Sequence, residues 1–270
     1  MGDKDWVKKF YSYGTLIKVT PEQEDLLIQN GPRELYQYRC GNEYDLKNLE
    51  NGVIWASAVK NFNDPFECDF NLKEFEAYCN EDIIKTSENF ADNVNELRKH
   101  IALMRDSTVV SCLSEKHDLI LMWSHYANKH QGICMCYGVA DLLNTRKILV
   151  PVWYRNEKIT PFEKNNDGTL DLNKRIKEIF IQKASEWSYE EEWRLIELVE
   201  ESNCDRFKAL EKDNGVEIKV VYPERIILGA KVTDELKKEV LRIAKEHSIT
   251  VTQMKMCDDE FKLIEMNIDV

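Results

Sequence analysis

Glycine and proline are scarce, ten and six in 270 residues, and no Gly/Ser-rich or Pro-rich stretch is present to act as a flexible linker. No segment repeats. One principal domain, 35 to 270, is therefore expected behind a helical extension, 1 to 34, because a 43% apolar content supports a single sizeable core. The nucleotide and nucleophile signatures of P-loops, G-x-G-x-x-G turns and G-x-S-x-G elbows are missing. So is any apolar run of membrane-spanning length. The first residues contain no apolar signal core, and Trp6 stands where a myristoylation signal wants Ser or Thr. The expectation is a cytoplasmic protein with no membrane partner.

Positive charge is also in deficit. Lys and Arg total 37 against 49 Asp and Glu, a formal net charge of −12. That balance favours solubility and argues against non-specific nucleic-acid binding, while leaving room for one basic pocket that takes a small nucleotide. The eight cysteines include no C-x-x-C pair, so reduced and mostly buried thiols are expected rather than disulfide staples.

Hydrophobic periodicity describes an α+β chain. Thr20, Pro21 and Gln23 have capping-box spacing ahead of Leu26, Leu27 and Ile28. A strand through Leu35 to Arg39, a short helix capped by Asn42 and a strand from Val53 to Ser57 follow. A charged helix is read from 72 to about 104, with Phe75, Tyr78 and Ile83 on its apolar stripe. Further strands are placed at 108–113, 132–137, 148–154, 190–199, 216–221, 225–228, 249–254 and 261–268. Asp118 is read as the cap of a helix with Leu119, Met122, Trp123 and Tyr126 on one face, and a last helix opens at Thr233. Another helix is read through Leu172, Ile176, Ile179, Phe180 and Trp187. Lys183 falls on its apolar stripe, an anomalous place for an ammonium. Few tight hairpins join neighbours, which predicts a mixed, mostly antiparallel central sheet covered by helices.

Four segments concentrate polar chemistry. If the chain is extended from Glu190, then Glu190, Glu192 and Arg194 share one strand face, two carboxylates beside a guanidinium. Such neighbours shift one another's titration in opposite senses, as a tuned acid, base or cation stabiliser requires. The plain alternative is a solvated edge strand in which Glu192 pairs with Arg194 or Lys183. Asn63, Asp64 and Glu67 sit on a rigid Asp-Pro loop directly after a strand, either as binding groups or as a simple Asx turn. On the following helix Trp123 and Tyr126 face the core, while Ser124 and His125 lie off that stripe. His125, His130, Asp64 and Glu67 would be needed for a metal-dependent hydrolase, but the spacing matches no familiar ligand pair and no metal is expected. Arg39 ends an apolar strand, either in a salt bridge to Glu190 or Glu192 or as a ligand for phosphate or carboxylate.

Taken together, the YxYR segment ending at Arg39, Phe62 to Glu67 (FNDPFE), Met122 to Ala127 (MWSHYA) and Trp187 to Arg194 (WxYExEWR) resemble a bacterial family of unknown function. The resemblance spans roughly 35 to 230, judged from motif positions. A weaker likeness is to ADP-ribosyltransferases, whose fold would be similar. In that family an early strand supplies Arg or His, a second supplies Ser or Tyr, and a later one carries E-x-E. Arg39, Ser57 and Glu190-Glu191-Glu192 occur in that order, although Ala56 and Ala58 replace the usual S-T-S neighbours of Ser57.

That likeness implies NAD as substrate, Glu192 with Glu190 as catalytic carboxylates, and Arg39 on the diphosphate. Ser57 would support Glu192, with Trp123 or Tyr126 stacked on nicotinamide; Asn63, Asp64, His125, Lys183 and Arg194 complete the binding set. The implied activity is ADP-ribosyl transfer to an unspecified macromolecular acceptor, or NAD hydrolysis, in a toxin or phage-defence effector. The alternative is a non-catalytic nucleotide- or peptide-binding sensor of a bacterial defence system.

Overall fold

The computed structural model describes residues 5–12, 19–71, 73, 90–160, 163–164, 170–171, 176–200 and 202–268. Helices α1 (Asp5–Ser12) and α2 (Pro21–Asn30) precede strand β1 (Glu34–Arg39), helix α3 (Glu43–Glu50) and strand β2 (Val53–Ala58). The capping box expected around Thr20 forms, and Asn42 builds a second one with Asp45. Helix α4 (Phe90–Ser107) leads into β3 (Thr108–Ser114), and α5 (Ile120–Tyr126) into β4 (Ile133–Gly138). Phe75, Tyr78 and Ile83 of the expected long helix lie outside the described residues. Helix α5 starts one residue later than read, with Leu119 rather than Asp118 at its N-cap and no side-chain cap. Its apolar face is as expected, because Met122 and Trp123 are buried against Tyr36 and Tyr38.

Helix α6 (Val139–Asn144) then precedes β5 (Ile148–Pro151) and β6 (Trp153–Arg155), followed by the short strands β7 (Glu163–Lys164) and β8 (Leu170–Asp171). The helix expected through 176 to 187 is not formed. A 3-10 turn at Ile176–Phe180, strand β9 (Gln182–Ala184) and a second 3-10 segment at Ser185–Glu190 replace it, and β9 pairs in parallel with β6. Ile179, Phe180 and Ile181 are all buried, a continuous apolar run that helical spacing alone does not distinguish from turn and strand. After β10 (Glu192–Leu198) come α7 (Cys204–Asp213), β11 (Gly215–Lys219), β12 (Arg225–Leu228), α8 (Asp234–His247), β13 (Thr250–Met256) and β14 (Leu263–Asn267).

Ten strands make one sheet, ordered β11-β2-β3-β1-β4-β12-β13-β14, with β10 on β3 and β5 on β10. Every ladder in it is antiparallel except β12 with β13. This is the mixed, mostly antiparallel α+β sheet with covering helices that the hydrophobic patterning indicates. The larger apolar core includes Phe10 of α1 and Leu27 of α2 beside Trp193, Ile226 and Val240, so the N-terminal helices share the core of the sheet. Among the cysteines, Cys68, Cys134 and Cys136 are buried free thiols, while Cys40 and Cys112 are exposed.

One topological detail positions the site. Strand β3 pairs along its whole length with β10 on one edge. Its other edge is divided: β2 meets Val109 and Val110, and β1 meets Ser114. Between those contacts, Ser111 to Leu113 have no ladder partner on that edge among the described residues, and the sheet forks.

Candidate functional site

A cavity of about 370 Å3 fills the fork. Ser111, Cys112 and Leu113 of β3 line it, with Arg39 and Tyr38 from one branch and Trp55 and Ser57 from the other. Cys112 is exposed although it belongs to an interior strand, which follows from the gap beside it. The volume lies within the range of small-molecule pockets.

A buried cage of five charged side chains closes one part of the cavity. Lys183 Nζ donates to Glu190 Oε2 at 2.6 Å and to Glu192 Oε2 at 2.8 Å, and lies 3.3 Å from Glu67 Oε1. Arg194 Nε donates to Glu192 Oε1 at 2.8 Å, Nη1 to the Phe180 carbonyl at 2.6 Å, and Nη2 to Glu67 Oε2. The guanidinium also sits 5.2 Å from the centroid of Phe62. Arg194 is completely buried, and each of the other four is less than 10% exposed. Five buried charges are tolerable only because every one is paired; a lone ion at such depth would cost several kcal/mol, about as much as folding yields in total.

Local backbone geometry brings these groups together. The strand does not run extended from Glu190. Glu190 ends a 3-10 segment and Glu191 adopts a left-handed conformation, φ 43° and ψ 49°, so regular alternation starts at Glu192. Ser114 Oγ donates to the Glu190 carbonyl at 2.6 Å, and the Glu115 N–H to the Glu191 carbonyl at 3.1 Å, which pins the kink against β3. The Tyr154 hydroxyl accepts the Glu192 N–H at 2.8 Å. In the loop after β2, Asp64 Oδ1 accepts the Phe66 N–H at 2.8 Å and the Asp64 carbonyl accepts the Glu67 N–H at 3.1 Å. Asp64 thus shapes an Asx turn that leaves Phe66 in solvent and sends Glu67 inward.

The two cavity-facing glutamates of the kink differ electrostatically. Burial alone would raise the Glu192 carboxyl, but Arg194 and Lys183 outweigh it and hold it at about 2. For Glu190, burial dominates and raises its pKa above the ordinary value; Lys183 opposes that, and the neighbouring Glu192 charge adds to it. Tyr126 donates its hydroxyl proton to Glu190 Oε1 at 2.8 Å, and its own pKa is raised by burial and by Glu190. Lys183 stays firmly protonated: burial lowers its pKa, and Glu192, Glu67 and Glu190 more than offset this. Three carboxylates against two cations leave the cage one negative charge in surplus. The raised pKa of Glu190 makes its carboxyl, at the cavity wall, the one of the two kink glutamates that takes up a proton more readily.

The remaining residues divide into those at the cavity and those away from it. Arg39, Ser57, Asn63, Tyr126, Lys183, Glu190 and Glu192 line it. Arg39 is not salt-bridged to Glu190 or Glu192. Its Nη2 donates to the Trp55 carbonyl at 3.0 Å, its Nε is 4.0 Å from Asp45 Oδ1, and its side chain is 27% exposed. Trp123 cannot stack on a ligand here: it is fully buried, edge-on to Tyr38, with its Nε1 donating to the His117 carbonyl at 2.6 Å. His125 is exposed and outside the lining, Asp64 serves the turn, and Arg194 holds the cage from behind. Among the described residues no group of three or more His, Cys, Asp or Glu is arranged to hold a metal ion. No described helix is long and apolar enough to cross a membrane.

Residues 122–195 match the model of a family described as a protein of unknown function, DUF2971. The matched stretch contains the MWSHYA and WxYExEWR segments, hence Tyr126, Tyr154, Lys183, Glu190, Glu192 and Arg194, while Arg39 and Glu67 fall outside it. No curated protein and no solved structure matches the chain.

Proposed function

We propose that the forked cavity binds a small nucleotide and catalyses glycosyl transfer from NAD, as an NAD-glycohydrolase or ADP-ribosyltransferase-like enzyme. The observation that carries this reading is the Glu190 carboxyl at the cavity wall, hydrogen-bonded by Tyr126, in a cavity that also contains the partly exposed cation Arg39. An oxocarbenium-like ribose needs a fixed carboxylate beside it, and a diphosphate needs a guanidinium. Glu190 supplies the first and Arg39 the second. Glu192 and Lys183 keep Glu190 in place, which moves the leading catalytic role from Glu192, whose charge is neutralised by two cations, to Glu190. Trp55, Tyr38 and Tyr126 give aromatic surface for a base or nicotinamide ring.

The deciding experiment is nicotinamide release from NAD by the purified protein, alone and with cell lysate as a source of acceptor, beside Glu190→Gln. Wild-type release that the variant lacks, with both proteins equally folded, supports glycosyl transfer. If neither releases nicotinamide under any condition, glycosyl transfer is refuted. The internal pairing of every cage proton donor favours the second reading, a nucleotide sensor. In that case NAD or a mononucleotide raises the melting temperature without turnover, and Arg39→Lys weakens the shift because an ammonium cannot make the bidentate contact.

A further inference from the structure

The loop between β13 and β14, residues 257 to 262, borders a second cavity of about 420 Å3. Its apolar wall comes from Ile120 at the start of α5 and from Met256, Phe261 and Leu263 of the hairpin. Phe261 is completely exposed and Met256 about half exposed. Aromatic and thioether side chains of that size are not left in water at a hairpin tip by packing needs, since neither reaches the core. Asp258, Asp259 and Glu260 form the rim with a single lysine, Lys262; none of the three carboxylates is in a salt bridge among the described residues, and Asp259 accepts a contact from the Cys257 thiol at 2.9 Å.

His130 also lines this cavity, and its Nδ1 is shut off from solvent with no hydrogen-bond partner among the described residues, while Nε2 lies 3.0 Å from Ser124 Oγ. Burial and Lys231 lower the pKa of the ring. Its backbone is constrained as well: Asn128, Lys129 and His130 have positive φ in succession, 46°, 56° and 70°, and the His130 N–H donates to the Trp123 carbonyl at 3.1 Å.

We propose that this face docks a basic, apolar-anchored peptide segment of a partner protein. Charge selects the occupant. Three carboxylates against the one ammonium of Lys262 leave the rim acidic and repel phosphate, which disfavours nucleic acid and anionic lipid. A second copy of a chain with net charge −12 would bring like-charged loops together across a symmetric interface. A peptide with Lys or Arg beside Leu or Phe meets both the rim and the wall, with Phe261 and Met256 as anchors. The proposal is independent of the chemistry in the fork.

The test is fluorescence anisotropy of a labelled peptide of alternating lysine and leucine, with an alternating glutamate–leucine peptide as its opposite. The proteins are wild type, Asp258→Asn/Asp259→Asn/Glu260→Gln, Phe261→Ser, and a charge-matched control, Glu22→Gln/Glu24→Gln/Asp25→Asn, on the exposed face of α2. The expected result is that both loop variants lose at least about tenfold in affinity, the control less than about twofold, and the acidic peptide fails to bind. All changed side chains are exposed, so the melting temperatures should agree and report intact folding. An equal loss in the control would mean general attraction to an acidic protein and would overturn the proposal. So would unchanged affinity in the loop variants, self-association abolished by Phe261→Ser in sedimentation, or capture on zwitterionic vesicles that needs Phe261.

Discussion

At the residue scale, Arg194 carries more of the structure than its neighbours. It pairs with Glu67 and Glu192, donates to the Phe180 carbonyl and lies on Phe62, with no contact to solvent. Arg194→Met should therefore destabilise by about 3–5 kcal/mol, because three carboxylates are left buried beside a single ammonium; chemical denaturation measures it. Glu190→Gln should cost about 1–3 kcal/mol, since the one amide oxygen can accept from Tyr126 or from Lys183 but not from both. Acid sensitivity follows from Glu192. Its pKa falls from the ordinary 4.5 to about 2 on folding, so its contribution is complete above 4.5 and is lost as pH drops toward 2. Glu190 is shifted the opposite way, and its contribution is present at low pH and lost as pH rises through its raised pKa. Urea midpoints between pH 7 and 3 should fall less steeply in Glu192→Gln than in wild type. Much of this cluster was legible: adjacent glutamates next to an arginine, and a lysine on an apolar stripe, are anomalies in the sequence itself. The pairing of Glu67 with Arg194 was not, because 127 positions separate them and no local pattern connects a loop carboxylate to a strand guanidinium.

At the scale of elements, periodicity succeeded where one face is buried and the other wet, as in β2, α5 and α8. It failed through 176 to 190, where the chain is buried on several sides and short 3-10 turns flank a three-residue strand. The kink at Glu191 was equally hidden, since glutamate carries no signal for a left-handed backbone. A β-branched residue is poorly accommodated there, and Glu191→Val should lower stability by roughly 1–2 kcal/mol while displacing Glu190. Helix α1 provides a sharper element-level test. Phe10 is fully buried, Trp6 lies 6.1 Å from Trp193, and the Tyr11 hydroxyl donates to the Pro151 carbonyl. Phe10→Ala should cost about 3–5 kcal/mol, the loss expected of a central core position; a small effect in thermal unfolding would show that α1 contributes little to the fold.

For the whole molecule, hydrophobic patterning foretold the class of architecture but not where the sheet divides. Net charge is legible at this scale and its consequence is direct: the protein should leave random duplex DNA unretarded in a gel shift even at low salt. The division of β3 between two branches depends on strand order, which only the assembled ladders reveal. It has a dynamic corollary. A strand embedded in a ten-stranded sheet would ordinarily be among the last places where backbone amides trade their hydrogens with solvent. Between Ser111 and Leu113, any amide directed away from β10 has no ladder carbonyl waiting for it among the described residues, so deuterium should enter there within the interior of the sheet while Val110 and Ser114 on either side remain dark. A ligand seated in the fork would silence that signal, making the gap a built-in reporter of its own occupancy.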